Sequence, residues 1–267
     1  MKLLQETQRM LTKYAISPKI ILHQNFCVDE KVIDAVVAAA ELKKTETVFE
    51  IGAGTGLLTK RLAEHAKKVI AVEKDERLAP LLHGLPKNVE LLFADALQVL
   101  PARKDFNKII ANIPYQIAEP LLKILCTALQ VERAVLMVPR KFAVHVAEHP
   151  FFSAFFDFKI VAEVPGEAFY PLPKVVSAIL VVTQKKETEM DDSGFLARQL
   201  FLQKDKKLKN ALREGLIAVA EKKGKKLSKK EAKKRVDELN LSEEVLEEQV
   251  GRVNLITVKE MVRKLVC

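Results

Sequence analysis

The stretch TVFEIGAGTG, residues 47–56, is an apolar, β-rich run that ends in a turn containing Gly52, Gly54 and Gly56. These are three of only nine glycines in the chain. Glycines at a strand end let the backbone turn sharply and approach a ligand closely, because no Cβ stands in the way. A helical pattern, GLLTKRLAEHA (56–66), follows at once. The stretch therefore predicts a ligand-binding turn that opens an α/β domain.

Strand-like and helix-like patterns alternate from residue 47 to about residue 184. This rhythm predicts an α/β, Rossmann-like sheet of seven mostly parallel strands covered by helices. FKIVAEV (158–164) and SAILVVTQ (177–184) have no clear helix between them, so we expect an antiparallel pair at one edge. The other predicted strands are TVFEI (47–51), KVIAVE (68–73), VELLF (89–93), NKIIA (107–111) and RAVLMV (133–138).

The composition changes at the polar stretch QKKETEMDDSG (184–194), after which the sequence is helical. We therefore expect an α/β domain over residues 1–186 and a small all-helical domain over 187–267. Residues 1–29 of the first domain would form an N-terminal helix and a ligand-bordering segment. Helix starts in the second domain are indicated by capping-box or N-cap residues: Ser228 with Glu231, Thr257 with Glu260, and Ser242.

The net charge of +9 is concentrated in one segment of the chain. Residues 198–235 carry 15 Lys/Arg and 4 Asp/Glu, so the remainder is near neutral. This distribution favours a polyanionic partner, with nucleic acid the leading candidate, although a solvated lysine-rich helix face is the alternative. The side chains that we expect to contact phosphates are Lys206, Lys207, Lys209, Lys225, Lys226, Lys229 and Lys230.

Other features of the composition argue against a secreted, membrane or metal-dependent protein. No apolar run reaches the roughly 18 residues of a membrane span, and MKLLQETQRMLTKYAI (1–16) predicts a short amphipathic helix rather than a secretory signal. Three widely separated cysteines fit neither a disulfide framework nor a zinc site, so we expect a cytoplasmic setting. HVAEH (145–149) has a zinc-peptidase spacing, but Pro150 follows at once and no convincing third ligand lies downstream, so we expect no metal.

Three successive strand ends carry groups that suit a nucleoside-type ligand. The spacing G-x-G-x-G from Gly52 differs from the G-x-G-x-x-G of dinucleotide sites and favours a ligand without a pyrophosphate, such as S-adenosylmethionine. Glu73 ends the second predicted strand, where a carboxylate can accept hydrogen bonds from both ribose hydroxyls. Asp95 follows the third strand and can accept from an adenine amino group. Either carboxylate alone would be an ordinary solvated strand end, but the ordered series predicts a cofactor site.

The stretch ANIPY (111–115) brings an amide and an aromatic ring to the end of the fourth predicted strand, at the same sheet edge. The Asn112 side-chain oxygen, with a backbone carbonyl such as that of Ile113, can accept hydrogen bonds from an exocyclic amine. The nitrogen would then become pyramidal, and its lone pair could attack a sulfonium methyl. Tyr115 and Phe169, the latter in a proline-rich loop, could enclose the base. The alternative is a turn cap and core aromatics.

Six stretches occur in a characteristic order: HQNFCVD (23–29), EIGAGTGLLT (50–59), AVEKD (71–75), ADAL (94–97), NIPY (112–115) and AFYPLPKVVSAIL (168–180). They resemble the KsgA/Dim-type family of rRNA adenine N6-dimethyltransferases, which is similar to the Erm methylases. The resemblance covers roughly residues 15–216 and includes GFLARQLFLQKDKKLKNALREGL (194–216). It implies dimethylation of two adjacent adenosines near the 3′ end of small-subunit rRNA in an immature subunit, with S-adenosylmethionine as the methyl donor. We also expect the protein to be a monomer.

The resemblance also implies roles for individual residues. The cofactor would be bordered by Gln24, Asn25, Cys27, Glu50, Gly52, Gly54, Glu73, Asp95 and Asn112. The target base would be handled by Asn112, Tyr115 and Phe169. The family usually has Gly and Leu at the positions of His23 and Cys27, and residues 139–158 also depart from its pattern. These departures bear on which RNA nucleotide is the target, more than on methylation itself. Two alternatives stay open: an Erm-like methylase of large-subunit rRNA, and an assembly or transcription factor in which methylation is secondary.

Overall fold

The computed structural model describes residues 2–19, 24–113, 115–127, 131–149, 151–253 and 255–266. Its strands are β1 (Phe26–Cys27), β2 (Thr47–Ile51), β3 (Lys68–Glu73), β4 (Val89–Phe93), β5 (Lys108–Asn112), β6 (Arg133–Pro139), β7 (Phe156–Val164), β8 (Phe169–Tyr170) and β9 (Ser177–Gln184). Its α-helices are α1 (Lys2–Lys13), α2 (Glu30–Ala40), α3 (Leu57–Ala63), α4 (Ala96–Val99), α5 (Tyr115–Thr127), α6 (Arg140–Glu148), α7 (Asp192–Leu202), α8 (Leu208–Lys222), α9 (Lys229–Asp237), α10 (Glu243–Glu247) and α11 (Leu255–Val266). No helix within the described ranges is long and apolar enough to cross a membrane.

Seven strands form one sheet in the order β4-β3-β2-β5-β6-β9-β7. Neighbouring strands from β4 to β6 are parallel, whereas β9 runs antiparallel to β6 and β7 lies beyond it at the edge. The predicted seven-stranded, mostly parallel α/β sheet is thereby confirmed. The strand order reverses between β2 and β5, and this is where the carboxyl ends of an open α/β sheet form a ligand crevice.

The central strands are mostly apolar because helices cover both faces of a parallel sheet. Val48 and Phe49 of β2 and Ile109 and Ile110 of β5 are completely buried. The buried charged residues of these strands include Glu50 of β2 and also Lys108, at the end of β5 opposite the crevice. Its ammonium lies 3.0 Å from a Glu46 carboxylate oxygen and donates to the Glu41 carbonyl. The buried charge is therefore paired, which offsets part of the cost of its desolvation.

A second, two-stranded sheet joins β1 to β8 in antiparallel register. Phe26 lies opposite Tyr170 and Cys27 opposite Phe169, and the next residue, Val28, donates from its N–H to the Ala168 carbonyl at 2.8 Å. The sequence does not predict this pair, because two-residue strands have no periodicity to detect. It brings the segment before α2 against the aromatic loop that follows β7.

The chain divides into two compact units, residues 1–147 with 158–184 and residues 148–157 with 185–267. The first unit contains the sheet. The second is built from α7 to α11 around a core that includes Leu196, Leu212 and Val236. This unit also includes residues 148–157, which connect α6 to β7.

Aromatic rings hold that short segment within the second unit. The Phe151 ring lies 5.0 Å from the Phe155 ring and 5.2 Å from the Phe201 ring of α7, centroid to centroid. Phe151 and Phe155 are both buried. Packing of this kind stabilises by removing large apolar areas from water.

Helix caps agree with the sequence in two of three cases. Ser228 and Glu231 form the predicted capping box at the start of α9, and Ser242 caps α10. The predicted start at Thr257 is wrong, because α11 begins at Leu255 and Thr257 lies within its first turn. The capping-box spacing is short and recurs by chance inside helices. The N-terminal helix α1 is confirmed.

Candidate active site

A cavity of about 390 Å³ lies at the carboxyl ends of the central parallel strands. Its volume is in the range of small-molecule sites, roughly 300–1,000 Å³. Phe169 lines it, whereas Glu50 is completely buried and is not among the lining residues. The lining includes eight of the nine predicted cofactor residues: Gln24, Asn25, Cys27, Gly52, Gly54, Glu73, Asp95 and Asn112.

The glycine turn has a backbone conformation that other residues adopt only with strain. Gly52, Gly54 and Gly56 have φ values of +81°, +57° and +77°. A Cβ built on Gly54 would lie 3.2 Å from the Phe26 ring. The Gly52 N–H donates to the Val72 carbonyl at 2.8 Å, which ties the turn to the end of β3. The turn is therefore a fixed backbone wall of the cavity.

Glu73 is held at the end of β3 by two backbone donors. Its Oε2 accepts from the Gly54 N–H and its Oε1 accepts from the Asp75 N–H, each at 2.8 Å. Burial raises the pKa of Glu73, and backbone N–H groups, those of Asp75 and Gly54 among them, oppose that rise. Each oxygen keeps a second lone pair for a ligand. The carboxylate can thus accept from two ligand hydroxyls without moving.

Asp75 is absent from the predicted site residues, although it lies only two residues after Glu73. The Gln24 side-chain amide donates to Asp75 Oδ2 at 2.9 Å, and the Arg77 guanidinium donates to both oxygens. The Arg77 guanidinium lowers the pKa of Asp75 to about 2. Asp75 is therefore a buried, ionised carboxylate that orients Gln24 at the cavity wall. This non-local contact has no signal in the sequence.

Asp95 follows β4 and caps α4. Its Oδ1 accepts from the Leu97 N–H at 3.0 Å and its Oδ2 from the Lys74 ammonium at 2.8 Å. The Lys74 ammonium lowers the pKa of Asp95. The carboxylate is therefore ionised and remains an acceptor at the cavity wall.

Asn112 ends β5 with its amide already oriented. The side-chain NH2 group donates to the Asn25 carbonyl at 3.0 Å, which leaves Oδ1 as the acceptor available to a ligand. A Cβ on Gly52 would lie 3.8 Å from the Asn112 backbone oxygen, so the glycine turn and the end of β5 are neighbours. The Ile113 N–H donates to the Met137 carbonyl at 3.1 Å. This hydrogen bond anchors Ile113 to β6.

The aromatic loop contributes Phe169, which is buried and lines the cavity from β8. Pro173, Val175 and Ser177 of the same region also line the cavity, although the sequence did not single them out. The backbone of Tyr115 begins α5, but its side chain lies outside the described side chains. His23 and Pro114 lie outside the described residues.

Glu50 is completely buried directly before the glycine turn. Neither of its oxygens has a hydrogen-bond partner among the residues that the structure describes. Burial raises the pKa of Glu50 to about 8, and the Glu73 carboxylate adds to the rise. Glu50 therefore holds its proton more tightly than an ordinary carboxyl, and it lies directly before the glycine turn without lining the cavity.

The lysines predicted to contact RNA fall into two groups. The Lys206 ammonium lies 2.6 Å from a Glu214 oxygen, and Lys207 and Lys209 both pair with Glu247. The Lys207 and Lys209 ammonium groups lower the pKa of Glu247 to about 2. The second group is exposed and, within the described part of the chain, has no acidic oxygen within 4.0 Å: Lys225, Lys226, Lys229 and Lys230.

The HVAEH stretch spans the end of α6. The His149 ring lies 5.2 Å from the Phe152 ring, and its Nδ1 accepts from the Phe151 N–H at 3.3 Å. Across the described ranges, no three His, Cys, Asp or Glu side chains are grouped to hold a metal ion. His149 therefore has a packing role; Pro150 lies outside the described residues.

Residues 17–248 match the model of a family described as "Ribosomal RNA adenine dimethylase". A "Probable ribosomal RNA small subunit methyltransferase A" of Pyrococcus abyssi is 37% identical over 219 residues, or 77% of this chain and 79% of that protein. The crystal structure of a dimethyladenosine transferase from Plasmodium falciparum superposes with a TM-score of 0.57 at 25% identity, covering 90% of this chain and 95% of the other. The 23S rRNA methyltransferase ErmE shares the fold, with a TM-score of 0.58 at 24% identity over 90% of this chain and 99% of its own.

Proposed function

The chain belongs to the ribosomal RNA adenine dimethylase family, and we propose that it transfers methyl groups from S-adenosylmethionine to the N6 amine of adenosine in rRNA. The proposed target is a pair of adjacent adenosines near the 3′ end of small-subunit rRNA, in an immature subunit. The family match and the name of the Pyrococcus relative support the rRNA substrate. We also propose that the protein acts as a monomer in the cytoplasm, without a metal ion.

The proposal rests on the position of the Asn112 amide. Its donor side is tied to Asn25, so its acceptor side is available at the same cavity as the glycine turn and Glu73. An acceptor beside a nucleoside-type cofactor site suits an amine substrate, because the amine must donate both of its hydrogens to expose its lone pair. This geometry supports N-methylation more than the methylation of a carbon or a hydroxyl.

The cavity fits S-adenosylmethionine, which when bound supplies a methyl group on a positively charged sulfur. We propose that Glu73 accepts from the ribose hydroxyls and that Asp95 accepts from the adenine amino group. The fixed backbone at Gly52 and Gly54 would approach the ligand closely. The methionine end would be bordered by Gln24, Asn25, the Cys27 backbone and Glu50.

The target adenine would be positioned by a small set of contacts. We propose that its amine donates to Asn112 Oδ1 and to the Ile113 carbonyl, so that the nitrogen becomes pyramidal. Phe169 and Tyr115 would enclose the ring, which must leave the RNA stack to enter the cavity. No covalent enzyme adduct is required, because holding amine and methyl in line supplies the rate. The thioether that has lost its methyl group would be the leaving group, and the methylated nitrogen would give its extra proton to water.

The test is methylation of immature small subunits, isolated from cells that lack the protein, with isotopically labelled S-adenosylmethionine. We expect labelled N6,N6-dimethyladenosine in small-subunit rRNA after nucleoside digestion and mass spectrometry. Parallel reactions with large-subunit rRNA test the Erm-like alternative. The absence of N6-methylated adenosine from every rRNA substrate would contradict the proposal.

A further inference from the structure

A short segment before α2, residues 24–28, is tied to several walls of the cavity, and we call it the border segment. Gln24 donates to Asp75, just beyond the end of β3, at 2.9 Å. The Asn25 carbonyl accepts from the Asn112 amide at the end of β5 at 3.0 Å. The middle of the segment pairs with β8. Because β3 and β5 are not neighbours in the sheet, the border segment links walls that the strand ladders do not join directly.

The Gln24 side chain is bonded at both of its polar atoms. Its Nε2 donates to Asp75 Oδ2, and its Oε1 accepts from the Lys19 N–H at 2.7 Å. The Gln24 N–H in turn donates to the Lys19 carbonyl at 3.4 Å. An amide that is bonded at both its oxygen and its nitrogen has one orientation, and Asp75 is the acceptor that fixes the donor end.

Asp75 is itself held by Arg77. The guanidinium donates from Nε to Oδ1 at 2.9 Å and from Nη2 to Oδ2 at 2.5 Å, so the pair is bidentate. The Asp75 side chain is only 4% exposed, so water competes little for these bonds. The remaining Nη1 of Arg77 donates to the Ser17 carbonyl at 3.3 Å. The pair therefore attaches the chain that leads into α2 to the end of β3 at two points, Ser17 and Gln24.

The orientation of the Asn112 amide depends on the position of the Asn25 carbonyl. Rotation of an amide about its last torsion exchanges its oxygen and its nitrogen, and the two arrangements differ only in their hydrogen bonds. A carbonyl accepts but cannot donate, so it selects the arrangement in which the NH2 group faces it. Asn25 lies between Gln24, whose side chain is fixed, and Phe26, which pairs with β8. Its carbonyl is thus held from both sides along the chain.

We propose that Asp75 is a positioning residue for methyl transfer, which keeps the Asn112 oxygen turned towards the target amine. It acts through Gln24 and Asn25, because Asp75 is not among the described residues that line the cavity. Without its hold, the Asn25 carbonyl would shift and the Asn112 amide would rotate, so that the amine would meet a donor instead of an acceptor. The inference rests on the proposed function, since that supplies the amine.

The chain contains a second arginine–aspartate pair with the same spacing, which supplies a matched control. The Arg103 guanidinium donates to both Asp105 oxygens at 2.7 Å, and Asp105 is not among the described lining residues. Asp75→Ala removes both acceptor oxygens, whereas Asp75→Asn keeps one. We expect single-turnover methylation of immature small subunits to slow roughly tenfold in Asp75→Ala and less in Asp75→Asn, since misplaced groups lower rates steeply. Asp105→Ala should keep the wild-type rate.

A double-mutant cycle separates positioning from a general loss of stability. In an Asn112→Ala background, Asp75→Ala should slow methylation by less than about twofold, because the group that Asp75 positions is absent. An undiminished tenfold loss in that background would overturn the inference, since Asp75 would then act independently of Asn112.

NMR supplies a readout that needs neither RNA nor cofactor. The side-chain NH2 signal of Asn112, assigned by its absence from Asn112→Ala, should shift towards the position of a solvent-exposed amide in Asp75→Ala and stay unchanged in Asp105→Ala. An unmoved signal in the folded variant would overturn the inference. Thermal unfolding shows which variants fold, and Asp75→Asn is read in the same way if Asp75→Ala does not. Failure of the wild-type protein to methylate any rRNA would instead contradict the proposed function, and the NMR signal would still decide whether Asp75 positions Asn112.

Discussion

The cavity of the first unit and the basic surface of the second use charge in opposite ways. Among the described residues that line the cavity, both carboxylates are already oriented: Glu73 by two backbone N–H groups and Asp95 by Lys74. On the basic surface, charge is either neutralised, as at Lys207, or left exposed, as at Lys225. Residue type at a strand end therefore predicts a buried site well. A count of lysines says little about a surface, because distant acids decide which charges are available.

The largest expected effect is that of Asn112→Ala, which removes the amine acceptor from the cavity. We expect turnover on rRNA to fall by about 100-fold or more, the cost of removing one positioned polar group from an active site. The affinity for S-adenosylmethionine should change much less. Single-turnover methylation and calorimetry measure the two quantities separately.

Asn88→Ala is the matched control for that change. The Asn88 side-chain amide also donates to a backbone carbonyl, that of Ala63 at 2.9 Å, but it lies outside the cavity lining. The variant should lose some stability and keep wild-type turnover. A collapse of cofactor binding in Asn112→Ala would show that the assigned role of Asn112 is wrong.

In wild type, each Glu73 oxygen accepts from a backbone N–H. In Glu73→Gln, the side-chain NH2 group would face one of these N–H groups, and that hydrogen bond would be lost. We expect the dissociation constant for S-adenosylmethionine to rise roughly tenfold to a hundredfold, because hydrogen bonds to charged groups contribute about 1.5–3 kcal/mol. Calorimetric titration measures it. Glu90→Gln removes an ion-paired carboxylate from the neighbouring strand, outside the cavity, and should leave the constant unchanged.

Glu50→Gln tests the buried carboxyl through the pH dependence of stability. Burial raises the pKa of Glu50 to about 8, so the folded state holds this proton more tightly than the unfolded state, and the resulting stability is lost as pH rises from the ordinary pKa towards 8. Without ligand, the Tm of wild type should therefore fall relative to that of Glu50→Gln between pH 5 and pH 8, by a few degrees. Differential scanning calorimetry at several pH values measures this.

Glu90 gives the opposite sign and serves as the control for Glu50. The Arg103 guanidinium lowers the pKa of Glu90 to about 2, so its contribution is present above the ordinary pKa and is lost only as pH falls towards 2. Glu90→Gln should therefore differ from wild type by a constant amount between pH 5 and pH 8. A parallel pH profile for Glu50→Gln and wild type would contradict the buried, proton-binding state of Glu50.

The smallest expected effect is a gain in RNA affinity. Glu247→Gln frees Lys207 and Lys209, so we expect RNA affinity to rise about twofold to fivefold, with a steeper salt slope. Glu243→Gln removes the same charge from the same helix, at an exposed side chain without a described ion pair. An equal gain in both variants would mean that net charge, rather than pairing, controls the affinity.

The sequence predicts several strands closely, because each is a short and mostly apolar run of β-forming residues with polar or turn residues on either side. The observed bounds of β2, β3, β4 and β9 coincide with the predicted runs. Glycine spacing and strand-end carboxylates likewise place Gly52, Glu73 and Asp95 at one cavity, because parallel strands bring their carboxyl ends to one edge.

The features that the sequence did not predict depend on contacts between distant parts of the chain. Asp75 orients Gln24 from 51 residues away, and Glu247 neutralises Lys207 from 40 residues away. Neither contact follows from local periodicity or propensity. The false helix start at Thr257 has a different cause. A capping-box spacing inside a helix looks the same in sequence as one at the start of a helix.

The small sheet that joins β1 to β8 also has a consequence for the order in which the protein folds during synthesis. Its partners, residues 26–27 and 169–170, are separated by nearly the whole first unit. One cavity wall therefore cannot form until the ribosome has released Phe169, although the glycine turn emerges much earlier. Ligand affinity should thus be a late event in biogenesis, and nascent chains that end before Phe169 should bind S-adenosylmethionine weakly even if their parallel strands have paired.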